Sequence, residues 1–157
     1  MADKKRTPTN PDPAGNGERT DARVPVNGPV SKSDSIRLIL VDDEKGFADV
    51  IAKRMSKRNI QVTKAYSGSE AIQALRKKEF DLAVIDLKME DMDGIEVLKI
   101  FKKMDPQIVV IMLTGHGSEE AAKQGIQCGA FDYLTKPCDF KELLTKIRDA
   151  YQQRNRT

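Results

Sequence analysis

Short apolar runs alternate with helix-period segments from residue 37 onward, and this alternation limits the chain to very few architectures. The strand-like runs are "RLILV" (37–41), "QVTKAY" (61–66), "LAVID" (82–86), "IVVIML" (108–113) and "FDYLT" (131–135). Helix-like segments lie at about 45–58, 67–79, 94–104, 118–128 and 139–153. The last places Phe140, Leu143, Leu144, Ile147, Ala150 and Tyr151 on one face, and the first does the same with Phe47, Val50, Ile51 and Met55. Ser67 followed by Glu70 is a capping-box signature for the second helix. Five βα units predict a parallel sheet covered by helices on both faces. The runs at 37–41, 82–86 and 108–113 are almost wholly apolar, as strands buried on both faces must be. Those at 61–66 and 131–135 carry Gln61, Thr63, Lys64, Asp132 and Thr135, which suits edges. Right-handed crossovers then give the doubly wound order 2-1-3-4-5.

The segment before this pattern is different in kind. Five of the seven prolines fall before residue 30, among almost no large apolar side chains. Such a segment buries too little surface to offset its ordering entropy, so residues 1–35 read as a disordered Pro/Gly-rich tail and 36–155 as the folded domain. The tail's charges nearly cancel, six Lys/Arg against five Asp/Glu, which excludes a basic nucleic-acid arm. The net charge of +3 names no partner, and no basic patch is concentrated enough for a nucleic-acid binder. No apolar stretch is long enough for a membrane span, and the first ten residues lack a signal peptide's apolar core. Cys128 and Cys138 have no metal-ligand spacing and fit a reducing, cytoplasmic setting as spectator thiols. With one histidine, His116, a His-based zinc enzyme is excluded.

The residues at the strand ends carry the chemistry. Asp42 and Asp43 come directly after the first strand, Asp86 ends the third, Thr114 comes after the fourth and Lys136 after the fifth. In a parallel doubly wound sheet these ends share one edge, where ligands sit. Two carboxylates about 4 Å apart repel by roughly 4 kcal/mol at an effective dielectric near 20, so three need a cation. Mg²⁺ fits: it accepts a few carboxylates, keeps waters and completes its shell with phosphate oxygens. Lys136 and the Thr114 hydroxyl suit the remaining phosphate oxygens. A central Asp86 beside a metal, a lysine and a threonine has the makings of a nucleophile for phosphoryl transfer.

The motifs "LILVDDE", "LAVIDLKMEDMDG", "VVIMLTGHG" and "GAFDYLTKP" resemble, in order and spacing, the receiver domain of two-component response regulators in its single-domain form. The resemblance covers Ile36 to Tyr151 and implies a flavodoxin-like (βα)5 fold. It implies that Asp86 accepts phosphate from a histidine kinase or phosphotransfer protein, or from a small donor such as acetyl phosphate. It further implies Mg²⁺ held by Asp42, Asp43, Asp86 and the Lys88 backbone carbonyl, with Thr114 and Lys136 on the phosphoryl group. Tyr133 matches the aromatic switch that turns inward as Thr114 moves, and Gly115 matches a tiny residue beside the acyl phosphate. The side chains of Lys88 and His116 take the positions that tune dephosphorylation. The resemblance implies a monomer, or a weak dimer that depends on phosphorylation. One departure is Glu90, four residues after Asp86, where receivers commonly carry proline; it predicts a less restrained loop and an added negative charge.

Other readings stand beside these. Asp42-Asp43 suits a turn or helix cap, Tyr133 edge packing, and Glu90, Asp91 and Asp93 a solvated loop, with Asp93-Gly94 turning into the next helix. Lys53, Arg54, Lys57 and Arg58 suit a solvated helix face. A small Asp-nucleophile phosphohydrolase is an alternative, although such enzymes need an acid two residues after the nucleophile and Lys88 stands there. A receiver-like binding module indifferent to phosphorylation is another. The fourth helix offers only Ala121, Ala122, Gly125, Ile126 and Gly129 for burial, which predicts weak anchoring of the kind found in switching segments. No separate substrate turnover is expected, and output is expected through a downstream protein partner rather than through DNA.

Overall fold

Alternation of side chains along the strands decides the layering. In a strand, successive residues point to opposite faces, so an apolar run fills two cores at once. In the computed structural model, which describes residues 35–115 and 119–156, Leu38, Leu40, Leu82, Val84, Ile111 and Leu113 enter one core cluster. Their neighbours Ile39, Val41, Ala83, Ile85, Val110 and Met112 enter the other. The strands are β1 (Ile36–Val41), β2 (Ile60–Ala65), β3 (Leu82–Asp86), β4 (Val109–Thr114) and β5 (Asp132–Thr135). All pair in parallel in the order β2-β1-β3-β4-β5, with the chemically mixed β2 and β5 at the edges.

Helices α1 (Lys45–Ser56) and α5 (Phe140–Arg156) cover the first core; α2 (Gly68–Lys77), α3 (Gly94–Met104) and α4 (Glu119–Gln127) cover the second. The face expected of α5 is buried from Phe140 to Ala150, with Tyr151 packed at its margin. α1 departs from expectation. It buries Ala48, Ile51, Ala52 and Met55, while Val50 is 58% exposed and Phe47 half-buried. Two small alanines let the helix axis approach the sheet closely, and this rotates Val50 outward. Ser67 caps α2 by accepting from Glu70 N at 3.1 Å, and Glu70 Oε1 reaches back to Tyr66 N at 3.0 Å, one residue before the cap.

α4 buries only Ala122 and Gly125; Ile126 is 41% exposed. A Cβ at Gly125 would lie 3.3 Å from Met112 Cγ, so glycine sets the helix close to β4. Gly129, counted among the fourth helix's residues for burial, lies beyond its end with φ at 111°. Its N–H donates to Ile126 O at 3.1 Å and that of Ala130 to Gly125 O at 3.0 Å, the paired bonds of a Schellman stop. The tail predicted for residues 1–35 lies outside the described residues except for Ser35, and His116 lies outside them too. Among the described residues no helix is long and apolar enough to cross a membrane.

Candidate functional site

Register delivers the polar residues to one edge. Val41 pairs with Ile85, Asp86 with Leu113 and Thr114 with Thr135, so Asp42, Asp86, Thr114 and Lys136 emerge at the carboxyl ends of adjacent strands. The ladder continues past the strands through Asp42 N to Ala65 O at 3.0 Å, Leu87 N to Leu113 O at 2.8 Å and Lys136 N to Thr114 O at 2.7 Å. The backbone at this edge is therefore tied to a neighbouring strand at Asp42, Leu87 and Lys136.

Asp42, Asp43 and Asp86 each bring a carboxylate oxygen to within 4.8 Å of the others. Asp42 and Asp86 are buried and Asp43 is half-buried. Glu44 N donates to Asp42 Oδ1 at 2.9 Å. Lys136 Nζ sits 2.7 Å from Asp42 Oδ2, an ion-pair distance without hydrogen-bond angles, so this buried oxygen lacks a directed donor. The same Nζ donates to Glu44 Oε1 at 2.6 Å, lies 3.4 Å from Asp86 Oδ1 and rests 4.5 Å from the centre of the Phe47 ring.

One ammonium does not balance these acids. Burial, then the Asp42 charge, push the Asp86 carboxyl up to about 6 against the pull of Lys136. Burial works to lower Lys136, but Asp42, Glu44 and Asp86 outweigh it and hold the ammonium above its ordinary range. An oxygen-only donor set with surplus negative charge and an undirected buried oxygen suits a hard divalent cation.

The loop of residues 87–93, which carries Lys88, is tied down on both sides. Glu90 N donates to Asp43 Oδ2 at 3.1 Å. The loop expected to be loose for want of proline is therefore clipped to the acid cluster by an amide hydrogen that proline does not have. Asp91 accepts from Gly68 N at 3.0 Å and from Ser69 N at 3.1 Å and Ser69 Oγ at 3.0 Å, so this exposed loop acid also caps α2 from a distance in sequence. Asp93 caps α3 by accepting from Ile95 N at 2.8 Å. Gly94 is required: a Cβ there would overlap the Asp86 carbonyl oxygen and come 2.8 Å from Leu87 Cα. The Lys88 side chain is exposed.

Thr114 is 2% exposed, and its hydroxyl donates to Leu134 O at 3.3 Å. Tyr133 is half-buried against the second core, opposite Met112 in register. Among the described residues a Cβ at Gly115 meets nothing within 4 Å. Cys128 and Cys138 are both free thiols, and burial pushes Cys138 up. Sequence reasoning misses Glu44, although it is a third consecutive acid at a strand end. It also misses the cap made by Asp91, for which nothing local gives a signal.

Fold and site together define a doubly wound α/β domain with an acid-lined cleft, one lysine and one buried threonine at its switch point. The model of the response regulator receiver domain family matches residues 38–148, and the chain belongs to that family, whose work is phosphorylation-dependent signalling in two-component systems. The transcriptional regulatory protein GlrR of Escherichia coli K12 is 38% identical over 116 residues, which are 74% of this chain and 26% of that protein. The chain thus spans about a quarter of the length of such curated relatives. The receiver domain of the Francisella response regulator 1452 is 33% identical with a TM-score of 0.71, over 76% of this chain and 98% of that one. A CheY-like receiver domain protein from Methanospirillum hungatei is 28% identical with a TM-score of 0.75, over 78% and 98% of the two chains.

Proposed function

We propose that Asp86 is the phosphoacceptor of this receiver. An Asp86 carboxylate oxygen attacks the phosphorus of a phosphohistidine on a histidine kinase or phosphotransfer protein. The phosphorus–nitrogen bond breaks and the imidazole leaves with its electron pair, so Asp86 becomes an acyl phosphate. Asp42, Asp43, Asp86 and the Lys88 carbonyl would hold Mg²⁺, which supplies charge neutralisation between the carboxylates and the entering phosphoryl oxygens. Lys136 then turns its ammonium to one phosphoryl oxygen, and Thr114 exchanges the Leu134 carbonyl for another. Tyr133 and α4 follow Thr114, and the changed surface is read by a partner protein. The phosphoryl group carries about −1.5 to −2 charges, at most about one more than the carboxylate it replaces, and this change drives the rearrangement.

The observation that carries this reading is three acid oxygens within 4.8 Å, with Lys136 Nζ 3.4 Å from Asp86 Oδ1, in a chain matching the receiver family over 38–148. Lys88 in place of a second acid speaks against a phosphohydrolase, so turnover of a separate substrate is not part of the proposal. Signalling from the cytoplasm, monomeric or weakly dimeric when phosphorylated, is the form proposed. Incubation with acetyl phosphate and Mg²⁺ should add one phosphoryl group to the intact mass. A chelator should abolish the addition, and equal labelling with and without Mg²⁺ contradicts the reading.

A further inference from the structure

Glu44 belongs neither to the acid triad nor to the phosphoryl-binding pair, yet it makes the shortest contact to Lys136. Its Oε1 lies 2.6 Å from Nζ, against 2.7 Å for Asp42 Oδ2 and 3.4 Å for Asp86 Oδ1. Its backbone N–H holds Asp42 Oδ1 at 2.9 Å, so a single residue fixes both the acid and the ammonium. The Lys136 side chain is 14% exposed and lies against the Phe47 ring, which leaves little room for a new partner unless an old one is released. Of its three acids, Glu44 is the releasable one. Its side chain is 65% exposed, against 0% for Asp42 and 9% for Asp86, so water solvates its carboxylate once the pair opens.

Resting on the phosphoacceptor reading above, we infer that Glu44 is a positioning residue that acts through Lys136. It holds the ammonium off Asp86 in the resting chain, and its release is part of phosphoryl-group entry. Glu44 thereby sets how readily the site accepts a phosphoryl ligand. An ion pair with one partner this exposed changes an equilibrium by no more than about fivefold. The position is open to substitution, because the Glu44 side chain makes no capping hydrogen bond to α1 and the amide that holds Asp42 survives in Glu44→Ala.

The test is the equilibrium affinity of the folded chain for beryllofluoride, a phosphoryl mimic, at saturating Mg²⁺. Glu44→Ala should bind it about two- to fivefold tighter than wild type. Glu90→Gln removes a like charge beside the same site while keeping the amide on Asp43, and should stay within about twofold, below the effect of a direct pair. Unchanged or weaker binding by Glu44→Ala overturns the inference. Equal tightening in both variants also overturns it, since general repulsion then explains the effect. Mg²⁺ affinity, measured by calorimetry, is the second readout and should change little in Glu44→Ala. A wild-type chain that binds neither Mg²⁺ nor beryllofluoride would instead sink the phosphoacceptor reading, an outcome distinct from failure of Glu44→Ala alone.

Discussion

Two aspartates bracket β3, both buried, and their neighbours give them opposite acidities. Asp81, at the entry, accepts from Arg37 N at 2.9 Å, Nε at 3.3 Å and Nη2 at 2.8 Å, with Arg154 Nη1 at 3.5 Å. Burial works to raise it, but the Arg37 hydrogen bonds prevail and hold it below the ordinary range. Asp86, at the exit, faces two acids and a shared lysine and is raised from 3.8 to about 6. The linkage signs are therefore opposite. The Asp81 contribution is present above about pH 4 and fades on acidification. The Asp86 strain is absent near pH 4, grows as pH rises and is complete above about pH 6. One pKa unit corresponds to about 1.4 kcal/mol, so the uncompensated Asp86 charge costs folding about 1–3 kcal/mol at neutral pH. Without divalent cations, Asp86→Asn should melt several degrees above wild type at about pH 8, and the gain should shrink towards about pH 4.5. Loss of stability at pH 8 would contradict the assignment. Asp86 could be singled out from the sequence because an apolar run ended on it. The role of Asp81 could not, because its partner lies 44 residues away in another strand.

At the scale of elements, the loop after β3 shows where local pattern stops being informative. Asp93-Gly94 reads locally as a turn into α3, where Asp93 is found as the cap, whereas Asp91 caps α2 across 23 residues and depends on the finished fold. Asp91→Ala leaves the Gly68 and Ser69 amides of the first turn of α2 without this acceptor, a loss of about 1–2 kcal/mol. Chemical denaturation should show that loss, and hydrogen exchange should place it in α2. The Gly68 amide comes first among the influences holding the Asp91 carboxyl below its ordinary value, so the stabilisation is present above about pH 4 and lost on acidification. Unchanged stability at pH 7 would contradict the cap. Helix existence was legible from periodicity, but helix rotation was less so. In α1 the large Val50 competes with the small Ala48 and Ala52 for the inner face, and close approach to the sheet selects the alanines. In α4 one of the two glycines offered for burial, Gly125, lies inside the helix and the other, Gly129, ends it.

For the whole molecule, strand order was readable because composition distinguishes central from edge strands, and the order brings the ends of β1, β3, β4 and β5 to one rim. Membership of the site was legible along the chain; the lysine's preference for Glu44 and the clip from Glu90 to Asp43 emerged only with coordinates. The sheet gathers mutually repelling acids on a scaffold with a core on each face, so the surplus charge is carried by the fold. The most direct measurement traps the modified residue. Wild type would be treated with acetyl phosphate and Mg²⁺, then reduced with borohydride, which converts an acyl phosphate of aspartate to homoserine. Peptide mapping should find homoserine at position 86 alone; homoserine at 42 or 43, or at no position, would contradict the account.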